Sequence, residues 1–337
     1  MIQYIIKRIF LFIPTLLAIT LIAFALTRLA PGDPAAVKSG VGAEGAQSAR
    51  SAISKKSIEL WRKQMRLDLP VWQQYVYWLG DIVQGNFGVS FQDQRPIVGK
   101  IMERLPITLT MNILAVLISY IVAIPLGMYA ATHQNTIGEK IAGFASFALY
   151  SLPPFWIASM AISFICNPEY YYIFPNHGIN SNGYEFMSGW QQLGDKLWHL
   201  ILPMLIYTYG SFAYLSRQMR SAMLETVRQD YIRTARAKGL KERTVIFKHA
   251  LRNSLIPIIT LLASILPGLI GGSVIIETIF SIPGLGDLSF KGLVARDYPM
   301  IMAVFTFSAI LTLAGILMSD ILYSFVDPRI AFDKKSN

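Results

Sequence analysis

The feature that leaves this chain the fewest possible folds is the recurrence of apolar runs close to twenty residues long. Ile9–Leu29, Ile107–Ala131, Ile141–Ile165, Leu200–Leu215, Leu255–Ile279 and Met300–Phe325 are six such stretches, the fourth being the shortest. A helix of about 20 residues crosses a hydrocarbon core of ~30 Å, and a helix satisfies its own backbone hydrogen bonds where no water can. The pattern predicts an all-α, polytopic membrane protein with six transmembrane helices. Composition agrees: 53% of the 337 residues are hydrophobic and 15% charged, against about 45–50% and 25% in soluble domains. A soluble globule is excluded.

Lys7 and Arg8 precede the first run, which could suggest a signal peptide. Its apolar length exceeds the usual 7–15 residues and no small-x-small cleavage site follows, so it is expected to be retained. Pro14, Pro125, Pro153, Pro154, Pro203, Pro257 and Pro267 lie in or at the ends of the runs and predict kinked helices. Orientation is set by basic residues near the ends: Lys7 and Arg8 before the first span, Arg329, Lys334 and Lys335 after the last. With an even span count, both termini are expected in the cytoplasm.

The net charge of +10 is then a question of placement. Between Arg217 and Arg252, on the expected inner side, ten basic residues face three acids. Pro31–Pro106, expected outside, also carries ten Lys and Arg, but loops longer than about 60 residues largely escape the charge rule. The sequence divides into residues 1–30, an N-terminal span; 31–103, an extracytoplasmic loop; 104–326, five helices with a cytoplasmic loop at 217–254; and a tail, 327–337. In the outer loop, Lys38–Ser57 is rich in Gly, Ala and Ser and reads as a flexible stretch. Trp61, Met65, Trp72, Tyr75, Val76 and Trp78 then recur at helical spacing, as short amphipathic helices at the membrane interface or over the bundle, with docking of a substrate-binding protein as the alternative. Asn167–His199 is aromatic and rich in turn residues, and reads as a small lid.

Several chemistries are excluded or disfavoured. Gly99-Lys100 lacks the preceding glycine and the following Ser or Thr of a phosphate-cradling loop. Cys166 is the only cysteine, so no internal disulfide or CxxC site exists. His133, His177, His199 and His249 form no HExxH pattern, and no metal site is expected. Gly284-Leu285-Gly286-Asp287 has the GxGD form of intramembrane aspartyl proteases, but Asp287 follows a turn signal and is expected in water. Arg28, Glu277 and Asp320, the charges within the spans, all lie near span ends rather than in a proton-relaying row. An ion-coupled secondary transporter stays open as the alternative.

The inner loop carries the most information. Asp230 is placed to cap a two-turn helix through Lys238, Gly239 to end it in the left-handed region, and Leu240 to fold back as the apolar partner. Small residues at Thr234, Ala235 and Ala237 would let another protein approach the backbone. A second basic helix, from Glu242 to Asn253, leads through Pro257 into the fifth run.

These residues resemble the permease subunits of ATP-binding-cassette importers, in the dipeptide, oligopeptide and nickel branch. The match rests on Ile5-Ile6-Lys7-Arg8-Ile9 with Pro14-Thr15-Leu16-Leu17, and on Pro31-Gly32-Asp33-Pro34. It continues in Tyr231-Ile232-Arg233-Thr234-Ala235-Arg236-Ala237-Lys238-Gly239 with His249-Ala250-Leu251-Arg252-Asn253. Glu277-Thr278 with Pro283-Gly284-Leu285-Gly286, and Asp327-Pro328-Arg329, complete it. Where the wider family has Glu-Ala-Ala and later Ile-x-Leu-Pro, this chain has Arg233, Thr234 and Ala235, then His249, Leu251 and Arg252; the departures at Arg233 and Arg252 resemble the peptide branch.

The resemblance implies a type I importer permease fold in a bacterial or archaeal cytoplasmic membrane, and no enzyme activity of its own. Partners would be a second homologous permease, two cytoplasmic ATPase subunits and an extracytoplasmic substrate-binding protein, with the lipid bilayer around them and no nucleic acid. No cofactor would be bound by this chain; ATP and Mg would sit on the ATPases. Tyr231, Arg233, Thr234, Ala235, Arg236, Ala237, Gly239 and Leu240 would form the coupling surface. The cargo would be di- or oligopeptides or a related solute.

Overall fold

The computed structural model describes residues 2–29, 33–38, 52–265 and 274–326. In chain order the helices are α1 (Ile2–Leu29), α2 (Pro34–Lys38), α3 (Ala52–Gln64), α4 (Val71–Val83), α5 (Ile97–Thr132), α6 (Ile137–Ser151) and α7 (Pro154–Met160). They continue as α8 (Gly189–Val227), α9 (Asp230–Ala237), α10 (Glu242–Thr244), α11 (Leu251–Ile265), α12 (Val274–Ile279), α13 (Leu285–Val294) and α14 (Tyr298–Val326). π turns at Ala161–Ile165 and Val245–Ala250 extend α7 and join α10 to α11. The described residues contain no strand, only an isolated bridge between Val89 and Pro96. The all-α expectation is met.

Among the described residues, three helices are long and apolar enough to cross a membrane: Arg8–Leu29 within α1, α5, and Tyr298–Ser319 within α14. The third expected span departs from a straight helix: Ile137–Ser151 and Pro154–Ile165 meet at 91°. Pro153 pushes Leu152 into the extended region (φ −85°, ψ 128°), and a proline has no N–H with which to continue the ladder. The Tyr209 hydroxyl donates to the carbonyl of Leu152 at 2.5 Å, taking up an acceptor the break leaves free. The fourth run lies inside α8, a 39-residue helix that extends well beyond both ends of Leu200–Leu215. The fifth is covered by α11 and α12; residues 266–273, with Pro267, lie outside the described residues, as do Pro31, Gly32, most of Lys38–Ser57 and Asp327-Pro328-Arg329.

The most extensive helix contact is between α5 and α8, followed by α1 with α14. Small residues make the first possible: Ala115, Ser119, Ala123 and Gly127 are buried along one side of α5. A Cβ at Gly127 would fall 2.5 Å from the carbonyl oxygen of Ser216 and 2.6 Å from Met219 Cβ, so the backbones meet with no space for a methyl group. Outside this pair, aromatic side chains of α4 reach α1. The Tyr75 hydroxyl donates to Leu17 O at 3.2 Å, and the Phe24 ring meets Tyr75 and Trp78 at 5.4 and 5.9 Å. These aromatics hold α4 against the first span, while Trp72 is exposed.

Of the expected lid Asn167–His199, the part from Gly189 on is the start of α8, and the part before it is anchored to its neighbours. Ile173 N donates to Ile165 O at 2.7 Å, Gly178 N to Phe280 O at 2.8 Å, and the Ser181 amide and hydroxyl to Asp195 at 2.8 and 2.5 Å. Burial works against the charge on Asp195, but these two donors outweigh it and hold its carboxyl below the usual range.

Candidate functional site

α9 is eight residues long, too short to persist alone in water. What fixes it is a two-sided sequence: Ile232 (0% exposed) and Ala235 (7%) face inward, and the rest face out. Ile232 and Ala235 join a buried cluster with Met219 and Met223 of α8, Val245, Ile246 and Ala250 of the π turn, and Ile258 of α11. The π turn carries one more residue per turn than an α-helix. It buries Val245, Ile246 and Ala250 while leaving Phe247 exposed.

The helix start differs from the sequence expectation. Gln229, not Asp230, holds the capping position (φ −70°, ψ 149°), and its side chain makes no capping bond. Asp230 is the first helical residue, where its charge favours the helix N-terminus. It lies 3.4 Å from Arg233 Nη1, and its carbonyl accepts from the Thr234 hydroxyl at 2.9 Å. At the helix end Gly239 meets the expectation, whereas Leu240, expected to fold back as the apolar partner, is exposed. Gly239 is left-handed (φ 75°), its N–H donates to Arg236 O at 2.9 Å, and Leu240 N donates to Ala235 O at 3.4 Å. These paired bonds satisfy the last carbonyls in a Schellman turn.

Two further contacts, one through Glu242, which lies outside the quoted motifs, tie α9 to α10 and α11. Arg236 Nε and Nη2 donate to the two oxygens of Glu242 at 3.1 and 2.7 Å, and Asn253 Nδ2 donates to the Tyr231 hydroxyl at 2.6 Å. Arg236 holds the Glu242 carboxyl below its usual range by this hydrogen bond. Of the residues singled out in the sequence, Tyr231, Arg233, Thr234, Arg236, Ala237, Gly239 and Leu240 share an exposed, basic surface. Ala235 instead seats the helix on the bundle. The arrangement presents a cationic knob carried on α8 and α11.

A second cluster joins α5 to the turn between α12 and α13. Glu277 is 2% exposed; it accepts from the Thr108 hydroxyl at 3.0 Å and from Asp287 N at 3.1 Å. Leu285 N donates to Thr108 Oγ1 at 2.8 Å. Asp287, expected in water, is buried, and Arg104 and Lys291 approach its carboxylate at 2.9 and 2.8 Å. Its turn is folded under α5, and the two cations offset the cost of desolvating it. A Cβ on Gly286 would lie 2.7 Å from Val274 Cα, which explains a glycine there. Each carboxylate is held by its own donors, so the pair serves to fix three helices together, not to share a catalytic proton.

Comparison with known proteins places these features in a family. Residues 123–332 match the family described as "Binding-protein-dependent transport system inner membrane component", and residues 1–112 match its N-terminal companion, "Binding-prot-dependent transport system membrane comp, N-term". The chain is 39% identical to the oligopeptide transport system permease protein AppB of Bacillus subtilis, over 98% of this chain and 100% of that one. It is 34% identical to the dipeptide transport system permease protein DppB of Lactococcus lactis, over 98% and 99%. Identity to the Escherichia coli K12 protein of the same name is 32%, over 99% and 100%.

Proposed function

The chain belongs to the binding-protein-dependent transport system inner membrane components, a family of transport permeases, and from that premise we propose that it is the membrane-spanning subunit of an ATP-driven importer of di- or oligopeptides. The observation that carries the mechanism is the geometry of α9: a short helix with both ends fixed, two residues in the core and the remaining face exposed and basic. Such an element transmits force because it has no freedom to move independently of α8 and α11. The chain spans the membrane six times, with α8 and the α11–α12 region as the fourth and fifth crossings and both termini in the cytoplasm. The peptide cargo is supported by the relatives, which are named for oligopeptide and dipeptide transport.

In this reading Tyr231, Arg233, Thr234, Arg236, Ala237, Gly239 and Leu240 form the surface that meets a cytoplasmic ATPase, and Ala235 seats it. ATP and Mg are bound by two ATPase subunits, not by this chain. A second, similar permease completes the path, and an extracytoplasmic binding protein delivers peptide to the outer segment, 31–103. Closure of the ATPases turns the two permeases between inward- and outward-facing states, a coupling of two sites through one two-state body.

The test is uptake of labelled dipeptide and pentapeptide by vesicles containing the co-purified assembly and its binding protein. Uptake should need ATP on the ATPase side and survive ionophores that collapse ion gradients. Flux that persists without ATP and stops with ionophore would overturn this reading in favour of an ion-coupled carrier.

A further inference from the structure

A cavity of about 260 Å³ opens where α1, α4 and α14 converge. Arg28, Gln74, Trp78, Asp81 and Tyr298 are on its wall. Two of these residues bring polar atoms that are shielded from solvent and have no hydrogen-bond partner among the described residues: Arg28 Nε and Gln74 Oε1. Gln74 is only 7% exposed, and the orientation of its amide is fixed. Its Nε2 donates to Leu69 O at 2.8 Å and to Leu67 O at 3.4 Å, so Oε1 is the end left needing a donor.

Arg28 needs the opposite. Its guanidinium lies 5.0 Å from the centre of the Phe24 ring, and no ion pair to a carboxylate forms among the described residues. Asp81, the acid on the same wall, is 3.4 Å from Arg66. A partly buried cation and a buried acceptor are each costly to leave without partners. One ligand with an anionic oxygen and a nearby N–H donor would satisfy both.

The depth says which such ligand is at hand. Arg28 stands at the very end of the apolar span Arg8–Leu29, the level where a bilayer places its phosphates and where arginine side chains reach for them. Tryptophan and tyrosine, both present on the wall, favour the same boundary. We propose that this cavity is a site for a zwitterionic phospholipid headgroup, its phosphate on Arg28 and its ammonium on Gln74 Oε1 and Asp81. The bound lipid would join the outer segment to the first and last spans. The assignment depends on α1 crossing the membrane, and not on which solute the protein carries.

The experiment uses the full-length chain in its native assembly, stripped with detergent, re-exposed to phosphatidylethanolamine and weighed by native mass spectrometry. The wild type should retain lipid, Arg28→Leu should lose at least about fivefold of it, and Arg28→Lys should keep most. Arg95→Gln, at an exposed pair with Glu103 (2.5 Å), should change nothing. All variants are compared as monodisperse assemblies, and lipid is counted per folded complex. Equal retention by wild type and Arg28→Leu would overturn the proposal. Binding of soluble glycerophosphoethanolamine as tightly as the lipid would also overturn it, since the site would then serve a dissolved phosphoester rather than the membrane.

Discussion

Gly239 combines a φ of +75° with open space around any added Cβ, so a side chain there meets no clash and the whole penalty is backbone strain. For a β-branched residue that strain is about 1 kcal/mol or more. Gly239→Val should therefore leave the assembly folded but displace the end of α9 and depress transport. Gly239→Asn, which tolerates the left-handed region, should retain more of it. Peptide uptake per assembled complex compares the two, and equal activity of Gly239→Val and wild type would remove the role given to this turn. Glu277 tests a different kind of residue. Glu277→Ala strands the Thr108 hydroxyl and the Asp287 amide, buried groups whose loss of a partner costs roughly 1–3 kcal/mol each. Its thermal midpoint in detergent should fall by several degrees, and Glu277→Gln, which keeps an acceptor, should fall less. Gly239 was legible in the sequence because a glycine after a basic helical turn has one common use. The burial of Asp287 was not, because a turn signal says nothing of which helix will cover it; only Arg104, far away in the chain, decides that.

At the scale of elements, the contact of α5 with α8 and the seating of α9 carry different vulnerabilities. Gly127→Ala puts a methyl group into Ser216 O and Met219, whereas Gly143→Ala on α6 meets nothing within 4 Å. The first should lower the thermal midpoint measurably and the second should not; matching shifts would contradict the close approach of α5 to α8. The seating of α9 also depends on pH. Glu242 is held below its usual range by Arg236, so its contribution is present above the unfolded value near pH 4.5 and is lost as pH falls through the folded one. The pair is exposed, so the effect is small. Amide exchange in α9 should be faster in Glu242→Gln than in wild type at neutral pH, and the difference should shrink as pH falls through the lowered folded-state value of Glu242. Apolar length made α1, α5 and α14 readable in advance. The bend at Leu152–Pro153 was signalled only as a kink, since two prolines announce a break but leave its angle to the neighbours. The π turn that seats α9 left no mark in the spacing, because its burial pattern is set by α8 and α11.

For the whole molecule, the fold class is legible from apolar length alone, and the family from the motif resemblance carried by segments such as Tyr231–Gly239 and Asp33-Pro34, neither of which needs tertiary context. Which residues of the proposed coupling helix face outward needed the structure, because the burial of Ile232 and Ala235 comes from packing on Met219, Met223 and Val245. That packing makes the central claim directly testable in native membranes, with a photo-crosslinking residue placed singly at Arg233, Ala237 or the buried Ala235. Covalent products with a cytoplasmic ATPase subunit are expected from Arg233 and Ala237, changing with nucleotide, and none from Ala235. Absence of any ATPase product from the two exposed positions, in membranes that still support peptide uptake, would contradict the coupling role of α9.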